Sequence, residues 1–170
     1  MYTIKNETIY LIVSIIGFFV FSISFLLMPV ETKGAEQGPN VVTLVTGSMF
    51  WLGLLVGAVA QICLSASRKK WFNKNCVHLP LSNQPKLGLI TFFRNRTAIV
   101  FDVLLIIALV GLIVSVILTN ATGYACYIFL ALTTFSFCSH CIFNGKNYYF
   151  IENKGSIKKA IEKSKTDATE

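Results

Sequence analysis

Residues 103–145, VLLIIALVGLIVSVILTNATGYACYIFLALTTFSFCSHCIFNG, run for 43 positions without one Asp, Glu, Lys or Arg. A bilayer core of about 30 Å is crossed by roughly 20 apolar residues in a helix, where the backbone satisfies its own hydrogen bonds. The stretch is long enough for two crossings, and Asn120, Ala121, Thr122 and Gly123 supply the turn residues between them. Two spans joined so tightly are antiparallel neighbours.

Working outward, two more uncharged runs appear, Thr8 to Val30 and Gln37 to Ser67, the second apolar from Val41. The spans are therefore expected at 9–30, 41–65, 98–119 and 124–143. The first exceeds a signal-peptide core and no small-residue cleavage pattern follows it, so it reads as a signal anchor. The fold class is an all-α integral membrane protein, a four-helix transmembrane bundle of two antiparallel hairpins. Composition agrees: 54% of the 170 residues are hydrophobic, 14% are charged, and the mean hydropathy is +0.65.

Charge sets an orientation. Residues 1–8 carry Lys5, the loop 66–97 carries seven bases and no acid, and the tail 144–170 carries six bases. The loop 31–40 carries only Lys33, beside Glu31 and Glu36. Fourteen of fifteen bases thus fall on one side, which the positive-inside rule assigns to the cytoplasm together with both termini. The net charge of +7 then calls for anionic lipid headgroups as a partner rather than nucleic acid. Arg68, Lys69, Lys70 and Lys74 with Trp71 and Phe72, and Lys158, Lys159 and Lys163 in the tail, are the expected membrane-surface residues. Pro80 and Pro85 break the loop, after which 87–93 reads as an interfacial segment leading into the third span. Beyond Gly155 the tail is either a short amphipathic helix or disordered. The loop 31–40 and the turn 120–123 are too short for an external domain.

Gly53 with Gly57, and Gly111 with Ser115, have the small-xxx-small spacing that lets helix backbones approach. Packing within one chain is the expected use. Gln61, Ser22, Ser24, Thr133 and Thr134 offer a polar seam. Asp102, near the start of the third span, is the one acid inside an expected span. The helix dipole and Arg94, Arg96 or Lys146 are its expected partners, in a structural role.

Cysteine placement is the sharpest chemical feature. Cys138, Ser139, His140 and Cys141 form a CxxC run at the end of the fourth span, Cys63 ends the second, and Cys76 precedes His78 by two residues. At about 100° per residue, Cys138 and Cys141 share a helix face while His140 is turned away, so one helix cannot supply all three as ligands. A metal would draw on Cys63, or on Cys76 and His78, to complete its shell. Four spans with Cys138 and Cys141 in the last resemble the vitamin K epoxide reductase family. That resemblance implies thiol oxidoreduction at an oxidising face, relayed through further cysteines in an exoplasmic loop. Residues 31–40 hold no cysteine and charge places Cys138 and Cys141 at the reducing face, so the pattern departs at both points.

No phosphate loop, HExxH or pair of intramembrane carboxylates is present, and no cofactor is expected. The leading expectation is a non-enzymatic accessory, immunity or binding component of the cell membrane, with a membrane-protein partner. A cytoplasmic-face thiol or metal protein and a small channel or carrier are the alternatives. Lys in preference to Arg, with abundant Ile, Phe and Asn, points to an AT-rich bacterial genome.

Overall fold

The computed structural model describes residues 4–34, 41–75, 91–93, 95–120, 123–144, 148 and 152. It is all-helical: α1 is Ile4–Gly34, α2 Val41–Asn75, α3 Arg96–Thr119 and α4 Tyr124–Phe143. Each is long and apolar enough to cross a membrane. Large hydrophobic side chains stand on their outer surfaces, among them Trp51, Leu55, Ile62, Val100, Ile107 and Ile117. In water each would cost about 1.5–3 kcal/mol, whereas lipid receives them without loss.

Two helices run beyond the spans read from hydropathy. At 35 residues and 1.5 Å per residue, α2 is about 50 Å long, well over a bilayer core of about 30 Å. Its last turns carry Arg68, Lys69, Lys70 and Lys74, good helix formers that continue the helix after apolar residues end. Trp71 and Phe72 therefore sit on a helix rather than in a loop. Before α3, residues 91–93 form a turn, with Phe93 at φ 60°; residues 87–90 of the expected interfacial segment lie outside the described residues.

α1 packs on α2 and on α4, and α4 packs on α3. The α1–α2 contact is made by backbone. A Cβ on Gly17 would stand 2.5 Å from the Gly57 nitrogen, and one on Gly53 would stand 2.5 Å from the Phe21 nitrogen. Ser14 donates its hydroxyl to the Gly57 carbonyl at 3.3 Å across the same seam. On the other hairpin, the Phe129 ring lies where a Cβ on Gly111 would be. Ser115 is buried and its hydroxyl donates to the Leu112 carbonyl.

The turn between α3 and α4 is closed locally. Asn120 takes the left-handed conformation at the α3 C-cap, φ 49° and ψ 41°, and its N–H donates to the Val116 carbonyl. The Thr119 hydroxyl donates to the Ser115 carbonyl and accepts from the Gly123 N–H, which leaves the Cys126 thiol to donate to it at 3.3 Å.

Candidate functional site

Facing pairs show each packed helix pair to be antiparallel: Ser14 meets Gly57 and Glu7 meets Arg68, Phe19 meets Phe135 and Leu26 meets Tyr124, Gly111 meets Phe129 and Asp102 meets His140. One end of the bundle gathers the start of α1, the end of α2, the start of α3 and the end of α4. We call it the tail end, and the opposite one the turn end. The buried charged and amide side chains collect at the tail end.

Asp102 and His140 form its centre. Both are essentially inaccessible, and the Asp102 Oδ1 and His140 Nδ1 are hydrogen-bonded partners. The other carboxylate oxygen, Oδ2, accepts from the Phe93 N–H at 2.6 Å. On the far side of the imidazole, His140 Nε2 lies 3.0 Å from Asn144 Nδ2, which also donates to the Thr91 carbonyl at 2.9 Å. Asn95, buried at the α3 N-cap position, donates to the Phe143 carbonyl at 3.2 Å and to Asn144 Oδ1 at 3.3 Å. The Phe92 ring stacks on the imidazole with centroids 4.5 Å apart. A segment before α3 is thereby pinned to the last turn of α4.

A second cluster ties α1 and α2 to α4. Arg68 is buried, pairs through Nε with Glu7 Oε1 at 3.2 Å, and donates through a terminal guanidinium nitrogen to the Ile142 carbonyl. Its guanidinium carbon lies 4.7 Å above the Tyr148 ring, in reach of a cation–π contact. Gln61 adds a bond from Nε2 to the Cys141 carbonyl at 3.0 Å. Arg68 and Gln61 thus reach the carbonyls of the last turn of α4, which have no acceptor role left within their own helix.

A third contact closes the start of α3. Glu152 Oε2 accepts from the Arg96 N–H at 3.1 Å, while Oε1 accepts from the Thr97 N–H at 3.0 Å and the Thr97 hydroxyl at 2.9 Å. Tyr148 donates to that hydroxyl at 3.1 Å. A carboxylate satisfying two orphan amides at a helix N-terminus is the usual capping electrostatics, here supplied from 55 residues away.

Several expected site residues fall elsewhere. Asp102 is directed to His140; of the bases considered for it, Arg94 and Lys146 lie outside the described residues. Arg68, grouped with the lipid-facing cations, is internal, whereas Lys69 and Lys70 are exposed. The side chain of Lys74, and Lys158, Lys159 and Lys163, lie outside the described residues. Cys63, Cys138 and Cys141 are free and partly buried; Cys138 packs against the core of Phe18, Leu64 and Ile142. Cys76 and His78 are outside the described residues, among which no three His, Cys, Asp or Glu gather as a metal site. The proposed polar seam is not continuous: Ser22, Ser24 and Thr134 return their hydroxyls to their own helix carbonyls. Gln61 Oε1 and Thr133 Oγ1 are buried without a hydrogen-bond partner among the described residues.

Away from this end, a groove of about 490 Å³ opens between α1 and α4, lined by Phe19, Ile23, Leu26, Ile128, Leu132 and Phe135. It holds no charged group and offers no chemistry. No protein-family model, curated protein or solved structure matches the chain.

Proposed function

We propose that the chain is a multi-pass protein of the cell membrane that acts by binding within a membrane assembly, not by catalysis. Its termini and the segment between α2 and α3 face the cytoplasm in this reading. The orientation rests on the one-sided distribution of Lys and Arg.

The observation that carries the non-catalytic reading is the use made of the buried polar groups. Asp102, His140 and Asn144 bond to one another and to the backbone around α3, and Arg68 bonds to Glu7 and a helix-end carbonyl. A general base needs a substrate proton within about 3 Å, yet the imidazole is covered by the Phe92 ring and held at both nitrogens. These residues shape the tail end, and the basic side chains Lys69 and Lys70 stand exposed beside it to meet anionic headgroups or a partner.

Solubilisation of native membranes in mild detergent, followed by native mass spectrometry, is the direct test. A complex of defined stoichiometry with another membrane protein is expected, and a lone monomer would remove the reading. Orientation is tested separately: a C-terminal green fluorescent protein fusion should fluoresce and a C-terminal alkaline phosphatase fusion should be inactive.

A further inference from the structure

The hydrogen-bond network around His140 assigns its own protons. Backbone carbonyls only accept, so the Asn144 atom 2.9 Å from the Thr91 carbonyl is the amide nitrogen. The Asn95 atom 3.2 Å from the Phe143 carbonyl is likewise the nitrogen, and it donates to Asn144 Oδ1, fixing Asn144 a second time. Asn144 Nδ2 therefore presents a hydrogen to His140 Nε2, which must carry a lone pair. The ring proton then sits on Nδ1 and is donated to Asp102. Two carbonyls far from the imidazole thus select its neutral Nδ1–H tautomer.

We propose that this network is a proton-operated clasp, in which protonation of His140 at Nε2 loosens the turn at Thr91, Phe92 and Phe93 from the end of α4. The added proton, taken up from the aqueous phase, points at Asn144 Nδ2, and two donors then oppose each other. Asn144 relieves this by turning its amide to offer Oδ1 to the imidazolium. The turn removes its donation to the Thr91 carbonyl and sets its nitrogen against the Asn95 nitrogen, so the bond between the two amides is lost as well. Both consequences fall on the same short segment, the one that leads into α3.

The described ties of that segment include the Thr91 carbonyl to Asn144, the Phe92 ring on the imidazole, the Phe93 N–H to Asp102, and Asn95 to the Phe143 carbonyl, the last of which the turn of Asn144 leaves in place. Phe93 is kept at φ 60°, a left-handed conformation that a non-glycine residue leaves when its restraints go. Asp102 remains paired to Nδ1 in both states, so the Asn144 side of the ring is the one that switches. Among the described residues, the titratable groups near the ring come from each helix; Arg94 and Lys146 lie outside them. Asp102 comes from α3; Phe92 and Phe93, from the preceding segment, do not titrate. From α4 the neighbouring titratable group is the Cys141 thiol. Glu7 of α1 pairs with Arg68 of α2, which meets α4 at the Ile142 carbonyl, while Glu152 is engaged at Arg96 and Thr97.

The test uses the full chain in lipid nanodiscs. His78 is the only other histidine, so His78→Gln leaves one imidazole for nitrogen-15 NMR. At neutral pH it should read as the Nδ1–H tautomer, and acidification should add the second proton at Nε2. Hydrogen exchange of a peptide covering 91–95, corrected for the intrinsic pH dependence, should lose at least about tenfold protection over the same titration, as expected for losing polar ties of this kind. In His140→Gln the protection should not follow pH. An Nε2–H tautomer at neutral pH, protection that stays constant while the ring titrates, or an unchanged transition in His140→Gln would each overturn the proposal. The NMR arm stands even if His140→Gln fails to fold.

Discussion

At the turn end, α1 meets α4 across an apolar groove, and among the described residues the Tyr124 hydroxyl joins them there through the Leu26 carbonyl at 3.3 Å. At the tail end, Arg68 and Gln61 bind successive carbonyls of α4, Asp102 binds His140, and Glu152 caps α3. The difference matters because apolar side chains gain nothing by leaving lipid for one another. Partner choice and register in such a bundle come from close backbone packing and from polar contacts. Among the described residues the polar contacts between helices are concentrated at one end, so the tail end fixes which helix ends meet, while the glycine seam sets how α1 and α2 slide.

The comparison is broken most severely by His140→Ala, which leaves the Asp102 carboxylate buried beside a void. A loss of about 3–5 kcal/mol is expected from removing one member of a buried pair, read by thermal or denaturant unfolding in detergent. Gly53→Leu attacks the backbone seam instead. Its side chain would begin 2.5 Å from the Phe21 nitrogen, and overpacking of this kind costs about 1–3 kcal/mol in the same measurement. Tyr124→Phe probes the turn end and should cost only about 0.6 kcal/mol, the average for polar contacts between membrane helices. A turn-end loss as large as that of His140→Ala would erase the contrast between the two ends.

Much of the helical layout was legible, since 43 uncharged residues around a four-residue turn leave little choice but two apolar helices. The Asp102–His140 pairing was legible in part. Asp102 stands eighteen residues before Asn120 and His140 seventeen after Gly123, so an antiparallel hairpin brings them level. Attention to the nearest bases in sequence hid that symmetry. The length of α2 was missed for a different reason: hydropathy ends near Ser65, but helix formation does not depend on apolarity, and Arg68 to Lys74 sustain it. The Glu7–Arg68 pair depends on how α1 and α2 slide along each other, which is set by the Gly17, Gly53 and Gly57 contacts. Nothing local to Arg96 and Thr97 announces Glu152, because helix capping from another segment leaves no short-range pattern.

The cap on α3 also imposes an order on the birth of the molecule. Glu152 is translated 55 residues after Thr97, the amide it receives. While the ribosome is still making α4, the first amides of α3 have only water or headgroups to bind. The finished end of that helix is a late event in synthesis, completed only after α4 has been made.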